Sequence, residues 1–163
     1  MSTPHRELSD AHRAKFFAYL DQLPPKDRPV FGFSAQQQSL WARLGGGTAY
    51  VLVLFFTDHV VFSTRGMASA KESAREARLL GEIASITVTP GTLMDRATFT
   101  FVDGATMKLT NVSHAESGSL ARFGEAGLAA FDRATLTPAA IASFFVACSQ
   151  ALSLPDGLFR EMD

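Results

Sequence analysis

The 163 residues suit a single domain, and a net charge of −1 lacks the basic excess that marks a dedicated nucleic-acid binder. Apolar residues at 47% and charged residues at 19% give the chain enough buriable surface to exclude disorder over most of its length. The one cysteine, Cys148, excludes an intrachain disulfide and a cysteine-based zinc site, and points to a reducing compartment.

Met1–Glu7 is polar and has no apolar stretch of the kind a signal peptide needs. The longest apolar run, Ala49–Phe56, has eight residues, whereas a helical bilayer span takes about 20. The expectation is a cytoplasmic protein. Fourteen phenylalanines stand against one tryptophan and two tyrosines. Phenylalanine brings large buried area with no polar group to satisfy, so it is a core residue before it is a binding residue.

In chain order, Thr3-Pro4 reads as an N-cap and first helical position, with Glu7 in the opening turn. Leu8, Ala11, Phe16, Tyr19, Leu20 and Leu23 fall along one face, and Pro24-Pro25 ends the helix, predicted over about 4–23. Val30–Ser34 is a short strand. Gln36–Leu44, with Leu40, Trp41 and Leu44, reads as a short helix or a partly covered loop, closed by Gly45-Gly46-Gly47. Thr48–Phe56 is a dense strand-forming run, apolar at both parities, so both of its faces are expected to be covered. Thr57-Asp58-His59 turns the chain into a second strand, Val60–Thr64.

Met67–Arg78 is rich in alanine and mixed charge, which fits a surface helix or a loop. Ile83, Ile86 and Val88 mark a strand that stops at Pro90-Gly91, and a loop over 92–95 follows. In Ala97–Val102, Phe99 and Phe101 alternate with threonines. Asp103-Gly104 is the strongest hairpin signal in the chain, and Met107 and Leu109 alternate on the return strand. The period then lengthens. Leu120, Phe123, Gly127, Leu128 and Phe131 predict a helix over about 116–132. Thr137-Pro138 opens another, carrying Ile141, Phe144, Phe145, Cys148 and Leu152 to about Ser153. The predicted class is α+β, an antiparallel meander or partly open barrel of about six or seven strands, with one N-terminal helix and one or two C-terminal helices.

Three segments carry a resemblance to the pleckstrin-homology-like fold, nearest to the small bacterial pleckstrin-homology and GRAM-type domains. They are Leu54–Phe62 with its Thr-Asp turn, Gly81–Val88 with its Ile-x-x-Ile-x-Val pattern, and Ala97–Leu109 with its Asp103-Gly104 turn. The likeness covers about 30–112 and one of the last two helices. The N-terminal helix and the helix at about 116–132 exceed a minimal domain of that type. The resemblance implies a non-enzymatic binding or scaffold module engaging a protein partner, its own copies or, weakly, a membrane surface. It does not carry over a phosphoinositide ligand, since residues 34–48 hold only Arg43 where such members place a basic cluster.

The chemistry-bearing residues do not assemble into a known motif. Gly32-Phe33-Ser34-Ala35-Gln36 misses the G-x-S-x-G elbow by its last residue, and the sheet around it reads antiparallel rather than parallel. A hydrolase built on Ser34 and His114, with Asp58 or Asp95, requires those residues to converge. His5, His12, His59 and His114 show no His-x-x-x-His spacing, so no metal site and no cofactor are expected. Gly45–Gly47 lacks the Gly-Lys-Ser/Thr of a phosphate loop. Trp41, Arg43, Gly45, Gly46 and Gly47 form the candidate binding segment, because a tryptophan in a loop fits an interface. The other reading of Trp41 is a cap on one end of the sheet. The remaining function class is a small apolar ligand held among the phenylalanines.

Overall fold

The computed structural model describes residues 9–37, 49–66 and 71–152. Helix α1 (Asp10–Gln22) precedes strands β1 (Phe31–Gln37), β2 (Ala49–Phe55), β3 (His59–Gly66) and β4 (Glu72–Leu79). Strands β5 (Ile83–Thr89), β6 (Asp95–Phe101) and β7 (Thr106–Val112) follow, then helices α2 (His114–Ala126) and α3 (Pro138–Leu152). The strands form one sheet in the order β4-β3-β2-β1-β7-β6-β5, and every neighbouring pair is antiparallel. It is two meanders joined by β1, which pairs with β2 over Phe31–Ala35 and with β7 at Gln36 and Gln37. The α+β class, the antiparallel order and the flanking helices are those expected of a pleckstrin-homology-like fold.

The sheet buries both faces of its central strands. On one face Phe31, Phe33, Val51, Val53, Phe55, Val60 and Phe62 meet Phe99, Phe101 and Leu109 of the second meander. Leu120 and Phe123 of α2 close that core. On the other face Leu52, Leu54, Phe56 and Val61 lie under Phe16 and Leu20 of α1 and Phe144, Phe145 and Cys148 of α3. The two parities of β2 therefore serve two cores, which is why its sequence does not alternate. Nine phenylalanines are among the largest fully buried side chains. Their burial stabilises the fold by roughly 1.5–3 kcal/mol each before conformational entropy is counted.

Several boundaries differ from the sequence reading. Helix α1 begins at Asp10, with Ser9 extended as its N-cap and its hydroxyl accepting from the His12 N–H. Thr3-Pro4 lies outside the described residues. Of Gln36–Leu44, Gln36 and Gln37 complete β1, and the rest lies outside the described residues. Within Met67–Arg78 neither a helix nor a loop forms over Glu72–Arg78. That stretch is strand β4, paired with β3 from His59↔Leu79 to Arg65↔Glu72. An open edge on β3 outweighs helix propensity there, because propensity is worth only tenths of a kcal/mol per residue. The helix expected over about 116–132 is α2 followed by a 3-10 turn, Gly127–Ala130, which starts where Gly127 takes a φ of 67°. The helix that closes the core of the sheet is thus α2, joined there by Ala140 and Ile141 of α3, while α1 and the rest of α3, through Phe144, Phe145 and Cys148, add a layer on the opposite face.

Gly32 marks the crossing of α3 over β1. A Cβ there would lie 2.7 Å from Leu54 Cδ2, 3.3 Å from the Val53 carbonyl oxygen and 3.4 Å from Ala147 Cβ. Gly32→Ala is therefore expected to destabilise the protein by roughly 1–3 kcal/mol through overpacking, measured as a lowered urea midpoint. An unchanged midpoint would contradict this packing role.

Candidate functional site

At the β1–β7 junction a cleft of about 310 Å³ is lined by Ser34, Ala35, Gln36, Tyr50, Asn111, Val146 and Gln150. The Asn111 amide donates to Gln36 Oε1 at 2.6 Å, and the Tyr50 hydroxyl donates to Gln150 Oε1 at 3.1 Å. Asn111 holds a φ of 56°, a left-handed conformation that asparagine tolerates better than most residues. Among the described residues the lining carries no charge. Trp41, Arg43, Gly45, Gly46 and Gly47 lie outside the described residues. They belong to the connection that leaves β1 just after Gln36-Gln37 and enters β2 just before Tyr50.

A second polar cluster forms where β6 meets the start of α2. Asp95 is 5% exposed. It accepts hydrogen bonds from the Ser117 hydroxyl and from the Gly91 N–H at 3.0 Å, and it pairs with His114 Nδ1 at 2.9 Å. The Ser117 hydroxyl, then the Gly91 amide and His114, hold the Asp95 carboxyl down at about 2. Sequence reasoning named Asp95 and His114 together, and the structure does bring them together. It does not bring in Ser34, which makes no hydrogen bond to either. Asp58 pairs instead with its neighbour His59 in the β2–β3 turn, at 2.5 Å. Ser117 meets the carboxylate directly rather than the imidazole, so no base stands between hydroxyl and acid as nucleophilic catalysis requires. This is the arrangement of a helix anchor.

Beside it, Ser113 caps α2. Its hydroxyl accepts from the Glu116 N–H at 3.3 Å, and Glu116 Oε2 accepts from the Ser113 N–H at 3.1 Å. Glu116 Oε1 also accepts from the Ser143 hydroxyl of α3. Glu116 is 4% exposed, and burial pushes its carboxyl up to about 7 against the opposing Ser113 hydrogen bonds. Sequence reasoning passed over Glu116, although the capping-box spacing Ser113-His114-Ala115-Glu116 was there to find.

The third feature is a groove of about 400 Å³ between β5 and the end of α2. It is lined by Leu80, Ile83, Ile86, Phe123 and Leu128, with Gly81, Ala84, Ser85, Gly124 and Gly127. Strand β5 is one outer edge of the sheet and β4 the other. The two edges differ in chemistry. β4 carries Glu72, Arg75, Glu76 and Arg78. Glu72 accepts from Ser63 at 2.6 Å and Arg75 at 3.1 Å. Arg78 bonds Glu76 and Asp103, both at 2.8 Å, with its guanidinium 4.3 Å from the Phe101 ring centre. That latch ties β4 to the β6–β7 turn. β5, Ile-Ala-Ser-Ile-Thr-Val-Thr, carries no charge and no proline. Among the described residues β5 pairs with β6 and with no other strand.

Among the described residues there is no group of three or more His, Cys, Asp or Glu placed to hold a metal ion. No described helix is long and apolar enough to cross a membrane. No protein-family model matches the chain, and no curated protein matches it. Among solved structures, the chain is similar to the pleckstrin homology (PH) domain of USP37, at 12% identity and a TM-score of 0.42. The match covers 61% of this chain and 97% of that one.

The Asp95 geometry has a pH consequence. Its carboxyl sits at about 2 when folded against an ordinary 3.8. The stability it contributes is complete above about 3.8 and lost as pH falls from there to about 2. Asp95→Asn is expected to lower the urea midpoint at pH 7 and to flatten the acid limb between pH 4 and 2. Parallel acid limbs in the two proteins would contradict the assignment.

Proposed function

We propose that the chain is a non-enzymatic binding module that takes an extended segment of a partner protein as an added strand along β5. The observation that carries this reading is the contrast between the two sheet edges. An edge strand offers a row of unpaired N–H and C=O groups, and proteins blunt such edges with charge, proline or a covering element. β4 is blunted by four charged side chains. β5 carries neither charge nor proline, and between it and α2 runs a groove lined by apolar side chains. Strand addition uses that pairing: main-chain hydrogen bonds supply affinity, and side-chain pockets beside the edge supply specificity. Ile83, Ile86, Phe123 and Leu128 favour apolar side chains on the incoming segment.

The other readings have less support. Membrane attachment through a basic cluster has only Arg43 over 34–48 to draw on. A small apolar ligand needs room among the phenylalanines, whereas those rings lie against one another: Phe55–Phe123 at 4.7 Å between centres, Phe62–Phe99 at 5.2 Å, Phe16–Phe145 at 4.2 Å. Trp41, Arg43 and Gly45–Gly47 remain a proposed second contact.

Two glycines of α2 provide the test. A Cβ on Gly124 would sit 3.6 Å from the Ile86 carbonyl oxygen, in ordinary contact, with any longer side chain entering the groove; around Gly118 there is open space. Replacing a mid-helix glycine by leucine gains up to about 1 kcal/mol of helix stability. Gly118→Leu and Gly124→Leu are both expected to retain or raise thermal stability. Peptides selected from a random display library on the wild type are expected to bind Gly118→Leu normally and Gly124→Leu at least tenfold more weakly, by fluorescence anisotropy. Equal binding by both variants would overturn the reading.

A further inference from the structure

Glu116 is buried at the seam between α2 and α3, and among the described residues it has no ion-pair partner. Its carboxylate oxygens meet the Ser113 N–H and the Ser143 hydroxyl. α2 packs on β5, β6, α3 and the Gly127–Ala130 turn. β5, the turn and α3 contribute no Asp, Glu, Lys, Arg or His. β6 contributes Asp95, committed to Ser117, Gly91 and His114, and Arg96, which is exposed. α2 itself adds His114, Arg122, which donates to Ser119 at 3.3 Å, and the exposed Glu125. An unpaired carboxylate enclosed this way is costly as an anion and cheap as an acid. As an acid it donates to Ser143 Oγ and still accepts from Ser113.

We propose that the α2–α3 seam is a proton-linked joint, in which α3 docks onto α2 with Glu116 protonated and releases that proton when it lifts away. Opening exposes Glu116 to water, where its ordinary value is 4.5, against about 7 when docked. A carboxyl raised on docking stabilises the closed seam fully below about 4.5, and that stabilisation is lost as pH climbs to about 7. Opening therefore grows by up to about tenfold per pH unit across this window, and is level outside it. Lifting α3 uncovers Leu52 and Leu54 on the outer face of β2.

The chain contains its own probe. Cys148 is the only cysteine, and it is buried on α3. Its labelling by an aromatic disulfide reagent, divided at each pH by the rate for the urea-denatured chain, reports opening free of the thiol's own ionisation. The wild type is expected to show a ratio that climbs steeply from pH 5 to 7 and then levels. Glu116→Gln, which keeps an acceptor for Ser113 and a donor for Ser143, is expected to lose most of that climb. Ser143→Ala is expected to open more at every pH while keeping it. Parallel profiles for wild type and Glu116→Gln would overturn the proposal. Should Glu116→Gln not fold, the side-chain carboxyl carbon of Glu116 in the wild type decides by NMR titration: a midpoint near 7 supports the joint, and one near 4.5 overturns it.

Discussion

Because β2 is paired on both edges and buried on both faces, every other element is arranged by the need to enclose it. Val51 through Phe55 are buried without interruption, with β1 on one side and β3 on the other. A strand of this kind cannot be served by a single-layer sheet with a wet face. It requires the second meander and α2 over Val51, Val53 and Phe55, and the α1–α3 layer over Leu52 and Leu54. The close approach of α3 at Gly32 and the ring contacts between Phe16 and Phe145 follow from that demand.

Enclosing the centre moves exposure to the margins. A sheet that does not close leaves two edges, and here they are β4 and β5. The chain spends its charged residues on β4, where Arg78 also reaches across to Asp103 and shields Phe101. β5 is left neutral and rich in β-branched residues, next to a groove lined by Leu80, Ile83, Ile86, Phe123 and Leu128. Aggregation through such an edge is the ordinary hazard, and a dedicated partner strand is the use that turns the hazard into recognition.

Local signals were legible in the sequence. The two-parity apolar run of β2, the turns at Asp58 and at Asp103-Gly104, and Thr137-Pro138 at the head of α3 could all be read from neighbouring residues. What was not legible depended on distant ones. Glu72–Leu79 has a helical composition, and only the free edge of β3 makes it a strand. Gly32 resembles part of a hydrolase elbow until Ala147 is found packed above it. The capping box at Ser113 and Glu116 is visible in four letters, but the burial of that glutamate depends on Ser143, far along the chain. That β4 and β5 are left as the edges while β1 and β7 are not follows from a two-residue pairing between β1 and β7, Gln36↔Thr110 and Gln37↔Leu109, which no periodicity reveals.

The openness of β5 is the claim on which the binding interpretation stands, and backbone amide exchange followed by NMR addresses it most directly. With β2 as the fully paired reference, the account predicts that amides along β5 alternate between protected and rapidly exchanging, since only those facing β6 are bonded. Uniform protection along β5, matching β2, would mean that the edge is already covered, and would contradict the account.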